Sequence, residues 1–220
     1  MTSLIVCDFD GTVSRRDIGY NLFHHFSGGR TEELIPEWKA GTLSTRECLR
    51  REAAMVTATP EEIYAFLDQF ELCAGFAEFV DACQSNGVPL VIFSDGLDFY
   101  IEYILKRFGL SDIPFSANRG RLVDGGITVE FPHENRDCRQ CGYCKGERIE
   151  RLRDSYSGPT EVIFIGDGYS DTCATRVSDM IFAKKDLKDY CIKNNVEFCP
   201  YDDFLDVADQ LVQSGHFRRQ

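Results

Sequence analysis

The stretch Leu4-Ile5-Val6-Cys7-Asp8-Phe9-Asp10-Gly11-Thr12 decides how the chain is read. Four apolar residues run straight into two carboxylates and a glycine, the pattern of a buried strand that ends at a polar loop. Two other runs have the same form: Leu90-Val91-Ile92-Phe93 before Ser94-Asp95-Gly96, and Val162-Ile163-Phe164-Ile165 before Gly166-Asp167-Gly168. Helical periodicity separates them, with Ile63, Phe66, Leu67 and Phe70 and again Ile101, Ile104, Leu105 and Phe108 spaced i, i+3, i+4, i+7. Strands alternating with helices predict an α/β fold, a Rossmann-like three-layer core with a mainly parallel sheet. Ligands bind such sheets beyond the carboxyl ends of the strands, so Asp8, Ser94 and Asp167 should converge there.

Between the first two strands the sequence is helical. Ser44 with Glu47 reads as a capping box, and Thr59, Pro60 and Glu62 supply the cap, first-turn proline and box acid of another helix. Residues 15–73 are therefore expected to form a helical cap over the sheet's carboxyl edge, with 1–14 and 74–220 as the catalytic core. Asp124-Gly125-Gly126, between Arg121-Leu122-Val123 and Ile127-Thr128-Val129, predicts a hairpin or a pair of β-arms within 114–132. Phe204, Val207, Ala208, Leu211 and Val212 mark a C-terminal helix.

The chain has 220 residues, enough for one elaborated domain or two small ones. Lys and Arg number 24 against 36 Asp and Glu, a formal charge of −12. That balance argues against a nucleic-acid binder, whose affinity comes from clustered cations, but not against a small phosphorylated metabolite. The first apolar run meets Cys7 and Asp8 at once, and nothing approaches a membrane span of about 18 apolar residues. The expected location is cytoplasmic, with thiols reduced. Seven of the ten cysteines, Cys7, Cys48, Cys73, Cys83, Cys173, Cys191 and Cys199, are dispersed and read as small core residues.

The chemistry begins with Asp8 and Asp10. Two carboxylates two residues apart at a strand end can serve as nucleophile and proton donor. Ser94, Asp95 and Gly96 offer a hydroxyl and backbone N–H groups near a helix start, suited to phosphate oxygens. Asp167 and Asp171, four apart after the third strand, suit a hard cation. Lys145 opens the helix leading to that strand, where its ammonium could neutralise a transferring phosphoryl group. Read singly, each feature has an ordinary structural explanation; the ordered set is more specific.

That set resembles the four motifs of the haloacid dehalogenase superfamily. The resemblance implies a Mg²⁺-dependent phosphatase in which Asp8 forms an aspartyl-phosphate and Asp10 is the general acid, then base. Gly11, Ser94 and Lys145 would surround the phosphoryl group. Asp8, the Asp10 carbonyl, Asp167 and, in support, Asp171 would hold Mg²⁺. An acid at position 10 favours hydrolysis over a lasting phosphoenzyme, although a phosphotransferase or mutase would keep it too. The insertion resembles the phosphoserine-phosphatase-like branch, where Asp17 stands at the position that contacts the substrate amine. Glu52 stands where that branch has an arginine for the serine carboxylate, and Ser-Gly-Gly is Ser94-Asp95-Gly96. Phe131-Pro132-His133, the Gln140-Cys141-Gly142 run and Cys144 before Lys145 resemble the 2-hydroxy-3-keto-5-methylthiopentenyl-1-phosphate phosphatases of methionine salvage. Phosphocholine and phosphoethanolamine phosphatases share the upstream cysteines. A silent phosphometabolite-binding protein is the alternative of another class.

Cys138, Cys141 and Cys144 lie within seven residues of one another. With His133 they have the composition of a Cys₃His structural Zn²⁺ site; a redox disulfide or plain packing are the other readings. Ser27-Gly28-Gly29-Arg30-Thr31 lacks the Gly-Lys-Ser/Thr ending of a phosphate loop and reads as a flexible turn. His24-His25 sit side by side on a helix and point apart.

Overall fold

In a computed structural model of the chain, which describes residues 2–133, 135 and 137–218, seven strands form one sheet. In chain order these are β1 (Thr2–Cys7), β2 (Leu90–Leu97), β3 (Phe115–Val123), β4 (Gly126–Glu130), β5 (Thr160–Gly166), β6 (Met180–Ala183) and β7 (Cys199–Pro200). They are ordered β4-β3-β2-β1-β5-β6-β7. All neighbours are parallel except β3 and β4, the expected hairpin. Cys7 pairs with Ile92 on one side and Ile165 on the other, so β1, β2 and β5 reach the same edge together.

Strand alternation sends neighbouring side chains of β1 to opposite faces. Ile5 and Cys7 enter one core with Ile92, Ile163 and Ile165. Leu4 and Val6 enter another with Phe93, Val162 and Phe164. The first core is covered by α5 (Phe76–Asn86), α6 (Asp98–Arg107) and α9 (Phe204–Gln213), through residues such as Phe79, Ile101 and Phe204. The second is covered by α7 (Lys145–Asp154) and α8 (Lys185–Asn194), through Ile149, Leu187 and Cys191. Both faces of β1 are thus dry, which is why its sequence is continuously apolar.

Four helices lie between β1 and α5: α1 (Ile18–Phe26), α2 (Ile35–Lys39), α3 (Thr45–Met55) and α4 (Pro60–Leu67). Thr59 and Glu62 form both halves of the capping box at α4. At α3 the Ser44 side chain accepts from the Glu47 amide, while Glu47 turns to Arg51 at 2.9 Å. The chain leaves and re-enters this segment side by side, with Arg15 N donating to Glu71 O at 2.9 Å and Cys73 N to Val13 O at 2.8 Å. Leu34, Leu43 and Cys48, with Trp38 and Met55 against them, pack as a small core of their own. Among the described residues no helix is long and apolar enough to cross a membrane.

Candidate active site

The register of β1, β2 and β5 delivers Asp8, Ser94 and Asp167 to one edge, where all three are buried. Directly after β1 the backbone turns through Phe9–Val13, with Gly11 at φ +79°. A side chain at Gly11 would be strained in that conformation and would strike the Asp167 carboxylate. Lys145, at the start of α7, is fully buried and reaches back across the edge. Its Nζ donates to Asp8 Oδ1 at 2.5 Å, to Ser170 Oγ at 3.3 Å and to Asp171. Asp171 also accepts from the amides of Asp167 and Gly168, at 2.9 and 3.0 Å, which closes the loop after β5 around the ion pair.

Ligand oxygens of Asp8, Asp167 and Asp171 lie within 4.8 Å of one another. Burial, then the charges of Asp171 and Asp167, raise the Asp8 carboxyl well above its ordinary value, against the opposing pull of Lys145. Burial and Asp171 likewise raise Asp167. Burial alone would lower the Lys145 ammonium, but Asp171 and Asp8 reverse this and hold it protonated. Three buried carboxylates so close together need more positive charge than Lys145 and the Lys185 ammonium at Asp167 supply, which is the donor chemistry of a divalent-cation site. The residues therefore fit Mg²⁺, with Asp8 and Asp167 as acids at the edge and Asp171 already engaged by Lys145 and two amides.

Asp10 is turned toward the helical segment. Its Oδ1 accepts from the amides of Ile18 and Gly19, at 2.8 and 3.3 Å, and its Oδ2 from the Tyr100 hydroxyl at 2.6 Å. Burial raises its carboxyl above the ordinary value, partly offset by those donors. Tyr100, buried on α6, was not legible in sequence as a site residue. Gly96 explains its reach, since a side chain there would collide with the Tyr100 hydroxyl and approach Asp10 Oδ2 at 2.5 Å. Ser94 Oγ accepts from Gly96 N at 3.0 Å and leaves its hydroxyl hydrogen free to donate. The Asp95 side chain turns away from that hydroxyl, accepting from Tyr143 N at 2.6 Å and Asn118 Nδ2 at 3.0 Å.

Lys185 was also missed. It follows β6 with φ +45°, and its Nζ reaches Asp167 Oδ2 at 2.8 Å and the Gly11 carbonyl at 3.2 Å. The apolar run Met180-Ile181-Phe182-Ala183, another strand running into polar residues, was the available signal.

A cavity of about 470 Å³ opens from Asp8, Asp10 and Ser94 toward the helices of residues 15–73. Phe23, Ile35, Trp38 and Leu49 give it an apolar wall, and Asp17 and Glu52 reach it from α1 and α3. Asp17 caps α1, accepting from Tyr20 N at 2.7 Å at an exposed position. Glu52 is buried beside Cys48, and burial pushes its carboxyl up to about 7, only partly offset by the Cys48 thiol.

Sulfurs of Cys138, Cys141 and Cys144 come within 4.8 Å of one another. His133, expected as their fourth partner, is instead edge-on to the Tyr143 ring, with centroids 5.5 Å apart, and is not part of that group. A histidine five residues ahead of the run could reach either way, and ring packing took it.

Comparison with known proteins gives the family and the fold. Residues 5–176 match the family of haloacid dehalogenase-like hydrolases. A protein of Bacillus velezensis named 2-hydroxy-3-keto-5-methylthiopentenyl-1-phosphate phosphatase is 32% identical over 218 residues, 97% of this chain and 92% of the relative. One of the same name from Microcystis aeruginosa is 29% identical, covering 96% of this chain and 99% of the relative. Among solved structures, a phospho-aspartyl intermediate analogue of phosphoserine phosphatase superposes with a TM-score of 0.75 at 19% identity, covering 97% of this chain and 98% of the other. A substrate-bound phosphoserine phosphatase complex gives the same TM-score at 20% identity, with the same coverage of both chains. At those identities the likeness is one of fold.

Proposed function

This chain belongs to the haloacid dehalogenase-like hydrolase family and is a phosphoric monoester hydrolase, and on that premise we propose that it cleaves a 2-hydroxy-3-keto-5-methylthiopentenyl-1-phosphate-like ester through an aspartyl-phosphate on Asp8. The observation that carries the reading is the buried Asp8–Lys145–Asp171 ion cluster, whose Asp8 lines the cavity that Asp10 and Ser94 share.

In this reading Asp8 attacks phosphorus with the carboxylate oxygen that Lys145 leaves free. The bond to Asp8 forms as the bond to the ester oxygen breaks, and Asp10 gives that oxygen its proton. Asp10 then takes a proton from a water molecule, which attacks the same phosphorus and returns Asp8 and inorganic phosphate. The raised carboxyl of Asp10 suits a group that must hold a proton before it gives one away. Ser94 and Lys145 donate to the phosphoryl oxygens, where charge spreads in the transition state. A Mg²⁺ held by Asp8, the Asp10 carbonyl and Asp167, with Asp171 in support, would supply the charge that lets a carboxylate approach a phosphate dianion.

Residues 15–73 act as a cap on the core of 1–14 and 74–220, excluding water and setting the substrate's far end. Glu52 stands there instead of a cation, so a substrate carboxylate such as that of phosphoserine meets no positive charge. The wall of Phe23, Ile35, Trp38 and Leu49 suits a methylthio tail. A second reading, phosphocholine or phosphoethanolamine, is favoured by Asp17 and Glu52, which could face a cationic head.

Phosphate release from these four substrates decides between the readings. The methylthiopentenyl phosphate should exceed the others by about tenfold or more in kcat/KM, as an apolar contact of a few atoms allows. Chelator should abolish all release. A lead for phosphocholine would install the second reading, and a folded protein inactive on every ester would sink both.

A further inference from the structure

A second group of metal-ligating side chains lies behind Lys145, and none of its cysteines lines the catalytic cavity. Beyond the three sulfurs of Cys138, Cys141 and Cys144, the thiol of Cys173 makes contact with those of Cys141 and Cys144, although it stands outside the group whose sulfurs all lie within 4.8 Å of one another. Cys173 comes from the loop after Asp171 and had read as a dispersed core residue; the sheet, not the sequence spacing, brings it to the cluster. Two backbone amides point at the sulfurs, Cys141 N at Cys138 Sγ (3.5 Å) and Gly146 N at Cys173 Sγ (3.3 Å).

Thiols are weak donors and acceptors, so their mutual attraction gives little reason for four to meet at a partly buried spot. A tetrahedral zinc with bonds of about 2.3 Å sets its sulfurs about 3.8 Å apart, and the three clustered sulfurs already lie within 4.8 Å of one another. Amides aimed at the sulfurs are the outer partners that zinc-bound thiolates use. We propose that Cys138, Cys141, Cys144 and Cys173 form a closed, structural Cys₄ zinc site, with Cys173 as the fourth ligand.

The site's position gives it a task. Cys144 directly precedes Lys145, and Cys173 lies two residues beyond Asp171, so one metal ties together the loops that carry both partners of the buried ion pair. The same loop reaches α3: Thr45 N donates to Gln140 O at 2.8 Å, and Arg46 to the Cys138 carbonyl at 3.2 Å. The zinc touches no reacting atom. It positions Lys145 against Asp171 and steadies the seat of the helical segment, and its binding, with loss of the thiol protons, adds to folding stability.

Elemental analysis of protein purified without added metal should find about one zinc per chain, as four ligands from one chain fill its coordination. Cys141→Ser and Cys173→Ser should each lose it, whereas His133→Ala and Cys191→Ser, a buried thiol outside the cluster, should keep it. Because removing a ligand can unfold a stapled loop, wild-type protein supplies a second measurement. Exchange of zinc for cobalt should give the intense visible bands of a tetrahedral tetrathiolate complex, and a mercurial reagent should free the metal as it forms bonds to the four thiolates. Folded wild-type protein without zinc, or carrying a disulfide in the cluster by intact mass, would overturn the proposal. So would zinc retained by Cys173→Ser and lost by His133→Ala.

Discussion

The pocket holds buried carboxylates at both ends, under different conditions. At the strand edge Asp8 and Asp171 share the ammonium of Lys145, and Asp167 faces Lys185 at 2.8 Å. At the helical side Glu52 is just as buried, with the thiol of Cys48 beside it. A cation beside a buried acid pulls it back toward its charged form, whereas neutral neighbours leave burial unopposed in favouring the proton. The first end is therefore built to act as charge and the second to present a neutral or titratable surface to whatever tail the substrate carries. Substitutions at the two ends should differ in size and also in sign.

The largest expected effect is on rate at the strand edge. Asp8→Asn removes the nucleophile while keeping an oxygen for Lys145, and kcat should fall by about 10⁴-fold or more, the scale seen when a covalent catalyst is removed. Circular dichroism should show the fold intact. A residual rate within about tenfold of wild type would mean the phosphoryl group never resides on Asp8, and the contrast between the two ends would lose its chemical meaning.

Next comes Lys145→Met, which fills the same volume without the charge. Removing one partner from a buried ion pair costs on the order of 3 to 5 kcal/mol, because the acids left behind stay buried. Denaturant unfolding at pH 7 in the presence of chelator should show a loss of that size. Part of it should return as the pH is lowered, since the Asp8 carboxyl, already raised by burial, can then be neutralised by a proton. A variant as stable as wild type at pH 7 would show that the acids do not depend on Lys145.

How much of this contrast was legible in the sequence follows from its physical origin. The reacting end could be read because covalent neighbours carry it: Asp8 and Asp10 leave one strand together, Asp167 leaves another, and buried parallel strands announce themselves by continuous apolar runs. Lys145 was placed by its order in the motif set, but its grip on Asp171 is a tertiary fact. Tyr100 and Lys185 were invisible because their roles arise from where α6 and β6 end relative to β1, and nothing local distinguishes a buried tyrosine that holds an acid from one that packs. Cys173 failed for the same reason, standing 29 positions along the chain from Cys144, the nearest in sequence of the sulfurs it meets. His133 erred in the other direction, since proximity in sequence suggested a partner that ring packing with Tyr143 took away.

The smallest effect is the one that tests the sign. Glu52 has an ordinary value of 4.5 and is pushed up to about 7 by burial. Below 4.5 both the folded and unfolded chains carry its proton, so it does not affect stability there. Between 4.5 and about 7 the folded chain keeps the proton and the unfolded chain releases it, so stability falls as pH rises through that window and stays lowered above it. At about 1.4 kcal/mol per tenfold change, the cost above pH 7 is at most on the order of 3 kcal/mol. Glu52→Gln cannot ionise, so it should be more stable than wild type at pH 8.5 and nearly equal to it at pH 4.5, opposite in sign to Lys145→Met. The same titration should appear in binding: KM for a cationic ester such as phosphocholine should drop as pH rises through about 7 in wild type and stay level in Glu52→Gln. If Glu52→Gln is instead destabilising at pH 8.5, Glu52 has a cationic partner in solution, and both ends of the pocket are charge-paired after all.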